Sequence, residues 1–332
     1  MIAVVPTDFN NRRDVDLLIV DFVGPPKLFS NFRDGTFRDV ADTVGWMSGD
    51  LPEETNAVAV ADLNKDDFPD IFFAGDTGGV VAMSDGRGRF TFIPGPPVVA
   101  VTVAQFLDYD NDGLLDLFTW SPDGFRLFRF LERSWIDVSS TAMLPSVSAA
   151  VPLVSARSTV SVDLDRSGTT DLVTMIGGQF LLLSNSGDTQ NQVLRVELSG
   201  LASNRLGIGA KIQMRAGSLR SRLETSAASP PVGPAELLFG LGQREGADVI
   251  RVLWPSGILQ AETTSVERVS DAVAEIQQYL PSLLPVQEID RKPSSCPLLY
   301  AWNGHRFEFV TDFLGGGEMG LWRGPSQYNS PD

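Results

Sequence analysis

A nine-residue acidic phrase recurs four times in the first half of the chain, and this limits the fold more than any other feature. The fullest copy is Asp108-Tyr109-Asp110-Asn111-Asp112-Gly113-Leu114-Leu115-Asp116. A second runs Asp62-Leu63-Asn64-Lys65-Asp66-Asp67-Phe68-Pro69-Asp70, and a third Asp163-Leu164-Asp165-Arg166-Ser167-Gly168-Thr169-Thr170-Asp171. The first in chain order, Asp8-Phe9-Asn10-Asn11-Arg12-Arg13-Asp14-Val15-Asp16, is degraded. The starts lie 54, 46 and 55 residues apart, close to the 40 to 50 residues of a propeller blade. Each copy is flanked by short β-branched and aromatic runs, such as Ala57-Val58-Ala59-Val60-Ala61 before and Ile71-Phe72-Phe73 after, so the loop joins two antiparallel strands. Glycine turns at Asp34-Gly35 and Asp85-Gly86 add a second hairpin to the first two units. The expected fold class is all-β.

Ligand type and spacing set the chemistry of the loops. Carboxylate or amide oxygens at positions 1, 3, 5 and 9, a carbonyl at position 7 and a glycine at position 6 can wrap hard donors around one cation. The predicted metal ligands are Asp62, Asn64, Asp66, Phe68 and Asp70; Asp108, Asp110, Asp112, Leu114 and Asp116; and Asp163, Asp165, Ser167, Thr169 and Asp171. Calcium (Ca2+) fits this set best, because magnesium demands a tighter octahedron and zinc prefers His and Cys, of which the chain has one each. The plain alternative is a solvated turn with Asx-type local bonds. In the first loop Arg12 stands at position 5 and Arg13 at the glycine position, so a guanidinium is expected to neutralise Asp8 and Asp16 there without metal.

These phrases resemble the FG-GAP/VCBS repeats of integrin-α-like β-propellers, over about residues 1 to 188. The resemblance implies an extracellular, calcium-stabilised scaffold whose propeller loops bind a protein or carbohydrate ligand. It implies a partial β-propeller of about four blade-like repeats, a piece of a seven-bladed ring with blades missing at the N-terminus; a closed four-bladed ring is the alternative.

Beyond Asn185-Ser186-Gly187-Asp188, short glycine-punctuated strands describe a small antiparallel β-domain over residues 189–283. Its phrases Asn204-Arg205-Leu206-Gly207-Ile208-Gly209-Ala210, Phe239-Gly240-Leu241-Gly242 and Trp254-Pro255-Ser256-Gly257 are similar to the ASPIC/UnbV domain. That domain follows such repeats in the cartilage acidic protein family and in many bacterial exported proteins. Residues 262 to 285 fit either a helical face or a last strand. Residues 284–332 read as the start of a further β module, with a hairpin around Asn303-Gly304.

Forty-two acidic against 26 basic residues give a formal net charge of -16, which opposes nucleic acid and anionic bilayers. No apolar run is long enough to span a membrane. One cysteine, Cys296, excludes an intrachain disulfide. The first residues lack the basic and apolar regions of a signal peptide, so an extracellular or periplasmic location requires a leader outside this sequence. Gly315–Gly320 lacks the βαβ frame of a dinucleotide site, Phe239–Gly242 reads as a turn, and Trp254 and Trp302 read as core. No catalytic carboxylate pair, catalytic metal triad or nucleophile-base set can be named, and His305 is the only histidine. The chain therefore reads as a calcium-binding adhesion or interaction module. The competing class is an exported enzyme whose chemistry lies in the C-terminal module or outside this sequence.

Overall fold

The computed structural model describes residues 3–12, 14–21, 24–46, 49–131, 133–144, 159–176, 179–187, 190–225, 237–263, 283–289, 298–305, 307–312, 322–324 and 327–328. Among them every regular element is a β-strand. Two compact units are formed, residues 1–288 and 289–332.

The first unit opens with four antiparallel sheets in chain order. Blade one holds β1 (Ala3–Thr7), β2 (Asp16–Val20), β3 (Lys27–Asn31) and β4 (Phe37–Asp39). Blade two holds β5 (Ala57–Ala61), β6 (Asp70–Gly75), β7 (Gly78–Ser84) and β8 (Phe90–Pro94). Blade three holds β9 (Val103–Leu107), β10 (Asp116–Ser121), β11 (Gly124–Leu131) and β12 (Ser134–Asp137). Blade four holds β13 (Thr159–Val162), β14 (Asp171–Ile176) and β15 (Gln179–Leu183). Every acidic phrase bridges the first and second strands of its blade, as the flanking runs require.

Successive blades pack through the alternation of side chains along each strand. On β6, Ile71 and Phe73 join Val5, Leu18 and Leu28 of blade one, whereas Phe72 and Ala74 join Ala104, Leu117 and Phe128 of blade three. Phe118 and Trp120 of β10 in turn meet Leu172, Leu181 and Leu183 of blade four. Interior strands are buried on both faces and need no polar alternation. The end blades differ: Val4 on blade one and Met175, Phe180 and Leu182 on blade four are exposed, Phe180 at 81 %.

The same unit continues with two further sheets. One places β16 (Gln192–Ser199) between β19 (Leu237–Gly242) and β22 (Leu283–Gln287); the other has the order β18 (Leu219–Glu224), β17 (Lys211–Ala216), β20 (Val249–Leu253) and β21 (Leu259–Glu262). The β16–β22 pairing is parallel, so this part is mixed rather than purely antiparallel. Residues 264–282, where helix and strand were both open, lie outside the described residues, and Leu283–Gln287 is a strand. Phe239–Gly242, read as a turn, lies in β19. Trp254 is buried at 1 % and its indole N–H donates to Gln260 Oε1 at 2.9 Å, as expected of core.

Glu288 closes this region. Its buried carboxylate accepts hydrogen bonds from the amides of Leu201 and Ser203 (both 2.7 Å) and from the hydroxyls of Ser203 (2.8 Å) and Ser256 (2.6 Å). Burial opposes the charge, but these donors hold the carboxyl below its ordinary range. A depressed carboxyl stabilises the fold above the unfolded-state value and loses that contribution as pH falls through the folded one. Glu288→Ala is therefore expected to cost about 2–3 kcal/mol at pH 7, and Glu288→Gln to flatten the acid limb of stability below about pH 4.5, both read by urea melts. An acid limb unchanged in Glu288→Gln would count against this assignment.

The second unit contains β23 (Leu298–Trp302) and β24 (Phe307–Asp312), joined through the expected Asn303-Gly304 turn, and the short pair β25 (Trp322–Gly324) and β26 (Gln327–Tyr328). Trp302 is not core: it is 57 % exposed and meets Phe307 edge-on, ring centroids 5.4 Å apart, across the β23–β24 hairpin. Cys296 and Gly315–Gly320 lie outside the described residues.

Candidate metal centre

The four acidic loops share one backbone scaffold, built by their own carboxylates. The position-1 aspartate accepts the amides that follow it. Asp62 takes those of Asp66 (3.0 Å) and Asp67 (2.9 Å), Asp108 those of Asp112 (3.1 Å) and Gly113 (2.8 Å), and Asp163 that of Gly168 (2.8 Å). Position 4 is left-handed in every copy, with φ of 58° at Asn11, 62° at Lys65, 58° at Asn111 and 60° at Arg166. Position 6 is left-handed too, at Asp67, Gly113 and Gly168, which is the conformational reason for a glycine there. The position-9 aspartate ties the loop to the third strand or the residues just beyond it: Asp16 accepts the amide of Asn31 (2.7 Å), Asp70 that of Ser84 (2.8 Å) and Asp171 that of Asn185 (2.7 Å).

Neighbouring loops are joined by a repeated bond. The position-4 side chain of each donates to the position-6 carbonyl of the next: Asn11 Nδ2 to Asp67 O (2.9 Å), Lys65 Nζ to Gly113 O (2.7 Å) and Asn111 Nδ2 to Gly168 O (2.9 Å). Such links tile the loops along one end of the blade array.

Carboxylate oxygens of Asp108, Asp110 and Asp116 lie within 4.8 Å of one another, as do those of Asp163, Asp165 and Asp171. In the second loop both oxygens of Asp66 are held locally, by the Phe68 amide (2.9 Å) and Asn64 Nδ2 (3.0 Å), and no carboxylate triad that close forms among the described residues. Burial, reinforced by neighbouring carboxylates, pushes Asp108 and Asp70 up to about 8, Asp116 to about 7 and Asp62 to about 6. A divalent cation would reverse that penalty. The donor sets fit one: they are hard oxygens only, and Asp163 Oδ1 is buried with no hydrogen-bond partner.

Side-chain cations also reach these loops, and most come from the second half of the chain. Lys211 Nζ meets Asp8 Oδ2 in a buried pair; of the two arginines expected to neutralise this loop, Arg12 is exposed and Arg13 lies outside the described residues. Arg220 pairs with Asp67 (2.5 Å), and Arg222 donates to the Asp67 carbonyl (2.5 Å). The guanidinium of Arg195 pairs with Asp163. In the third loop the cation is local: Arg129 contacts Asp110 (2.9 Å), Asp112 (2.8 Å) and Asp116 (2.9 Å). Backbone contacts complete the docking, with the Gly242 amide donating to Asn111 O (2.8 Å) and Asn191 Nδ2 to Asp110 O (2.8 Å). The ASPIC-like strands thus lie across the acidic end of the blades, bordering an open cavity of about 190 Å³ lined by Asp62, Gln105, Asp108, Asp163, Arg222 and Glu224.

Sequence reasoning missed these cations. Arg129 was findable, since the hairpin register sets it directly opposite Asp116. Lys211, Arg195 and Arg222 come from strands too remote in sequence to pair with particular loops by inspection. His305 is exposed at the β23–β24 turn, its amide bonded to Asn303 Oδ1 (2.9 Å), and the side chains of Glu308 and Asp312 lie outside the described residues.

Comparison with known proteins agrees with this organisation. A model of the FG-GAP-like repeat matches residues 8–73 and 62–119, and a model described as ASPIC and UnbV matches residues 200–270. The chain is 27 % identical to cartilage acidic protein 1 of Homo sapiens over 312 residues, covering 85 % of this chain and 44 % of that protein. It is 27 % identical to cartilage acidic protein 1 of Xenopus tropicalis over 257 residues, covering 70 % and 38 %. The chain therefore spans less than half the length of these curated relatives. Among solved structures, an Agrocybe aegerita lectin described as recognising non-reducing terminal N-acetylglucosamine aligns over 55 % of this chain and 52 % of its own, at 20 % identity. Its TM-score of 0.36 is too low to bear on fold or function.

Proposed function

We propose, for a chain that carries FG-GAP-like repeats followed by an ASPIC/UnbV region, that it is an extracellular interaction module in which calcium plays a structural part. The observation that carries this reading is the row of acidic loops at one end of the blades, two of which gather three carboxylates with at least one of them buried. Asp108, Asp110, Asp112 and Asp116 with the Leu114 carbonyl, and Asp163, Asp165, Ser167 and Asp171 with the Thr169 carbonyl, would hold ions of the third and fourth loops. Asp62, Asn64, Asp66 and Asp70 with the Phe68 carbonyl would hold one in the second. Each ion supplies positive charge that lets the carboxylates ionise and fixes the turn between two strands.

The acidic end is covered by strands of the same chain, so a protein or carbohydrate partner has to meet the opposite end. There the hairpin turns at Asp76-Thr77 and Pro122-Asp123 and the connection 95–102 emerge from the blades. Such loops on a rigid sheet array are the usual place for recognition. An exported location, extracellular or periplasmic, suits this reading, because weak structural calcium sites fill at the millimolar calcium found outside cells.

Thermal melting of the full chain with calcium, with magnesium and with chelator tests the metal assignment. At millimolar calcium, sites with a Kd of about 0.1–1 mM each add about 0.4–1.4 kcal/mol, together a rise of a few degrees. A melting temperature equal in calcium, magnesium and chelator would sink it.

A further inference from the structure

The third loop has the fullest set of acidic ligands in the sequence, yet among the described residues it is the one loop whose predicted ligand carboxylates are paired by an arginine of their own blade; in the first loop, which is not a predicted metal site, Arg33 of blade one pairs with Asp14. Arg129 on β11 stands opposite Asp116 on β10. Its Nε and Nη2 donate to the two oxygens of Asp116 at 2.9 and 3.2 Å, Nη2 also reaches Asp110 at 2.9 Å, and Nη1 lies 2.8 Å from Asp112. The Tyr109 ring covers the guanidinium, 5.4 Å from ring centroid to Cζ. Continuing the strand registers of the other blades puts Ser30, Met83 and Ser184 opposite Asp16, Asp70 and Asp171, and none of these is a cation. In those blades the position-9 carboxylate accepts an amide from the third strand or from just beyond its end, a bond that Arg129 replaces in blade three.

We propose that Arg129 is the resident cation of the third loop and competes with a divalent ion for Asp110, Asp112 and Asp116. This rests on the calcium reading above. A guanidinium and a divalent ion cannot both take the same oxygens, and their like charges repel at that separation. Ion entry therefore requires Arg129 to swing out. The loop with the most complete motif then binds calcium more weakly than its ligand set would allow, and its shape depends less on calcium, because a planar five-donor fork already bridges its carboxylates.

Tyr109, at position 2 of this loop alone, gives a loop-specific probe. Terbium is titrated into the full chain, and its luminescence is excited through Tyr109, with Tyr109→Phe abolishing the signal. Arg129→Gln is expected to tighten terbium binding at this loop at least tenfold, while Arg126→Gln, an equal charge change on the same strand, leaves it unchanged. In chelator Arg129→Gln melts below wild type, and calcium closes the gap. Should Arg129→Gln not fold, Arg129→Lys, which keeps the charge but loses the fork, is expected to tighten binding two- to fivefold. Equal midpoints for wild type and the Arg129 variants overturn the proposal, as does the absence of Tyr109-excited emission in all of them. Failure of the broader calcium reading is distinct: it appears as a wild-type melting temperature indifferent to calcium.

Discussion

Arg195→Met is expected to lower the unfolding free energy by about 3–5 kcal/mol, the cost of leaving a buried charge without its partner. Arg195 and Asp163 expose only 2 % and 1 % of their side chains, and they join β16 to the fourth loop. Methionine fills much of the arginine's volume, so the loss is electrostatic rather than a cavity. Adding Asp163→Asn to Arg195→Met should recover a large part of the deficit, since the second change removes the orphaned carboxylate. Urea unfolding of the two single variants and the double variant measures this. Strictly additive losses would mean that the two groups do not form the pair described.

Gly240→Ala is the second large expected effect, about 3 kcal/mol of destabilisation. An added Cβ would sit 2.6 and 2.7 Å from the carbonyl carbon and Cα of Asn111, with Asp108 Oδ2 closer still. Backbone cannot step aside as a side-chain end can, so β19 must lift from the third loop and weaken the bond from the Gly242 amide to Asn111 O. Gly217→Ala is the control: its φ is 61° but nothing lies within 4 Å of the added carbon, so it carries only the left-handed penalty of about 1–2 kcal/mol. A Gly240→Ala loss no larger than that of the control would refute the close docking of β19.

These two positions mark the limit of what the sequence discloses. The blades were legible because each acidic phrase lies between strand-length apolar runs, and local pairing fixes the hairpins. In Val193-Leu194-Arg195-Val196-Glu197-Leu198 the pattern puts Arg195 on the solvent side, and Val196 and Leu198 are indeed buried. Arg195 is buried as well, because the second face of β16 meets the fourth loop, and no periodicity reveals what covers a polar face. Phe239-Gly240-Leu241-Gly242 misled in the same way. Its glycines suggested a turn, but Gly240 is there to let two backbones approach across 129 residues of sequence. The acidic loops were legible in position and turn geometry, since φ and amide capture depend on nearest neighbours. Their side-chain cations were not, except Arg129, whose place follows from counting across one hairpin. Nor does sequence separate interior from terminal blades. Leu17-Leu18-Ile19 reads as apolar as Ile71-Phe72-Phe73, yet only the latter is covered on both sides.

The bonds from Asn11, Lys65 and Asn111 to the carbonyls of the following loops give the acidic end a direction, each unit leaning on its successor. Opening one loop breaks a tie in the next, so fluctuations propagate along the row instead of staying local, as in a one-dimensional chain of coupled neighbours. Stiffening any member lowers the entropic penalty of stiffening the one beside it, so ligands that ordered neighbouring loops would bind cooperatively without a change of shape.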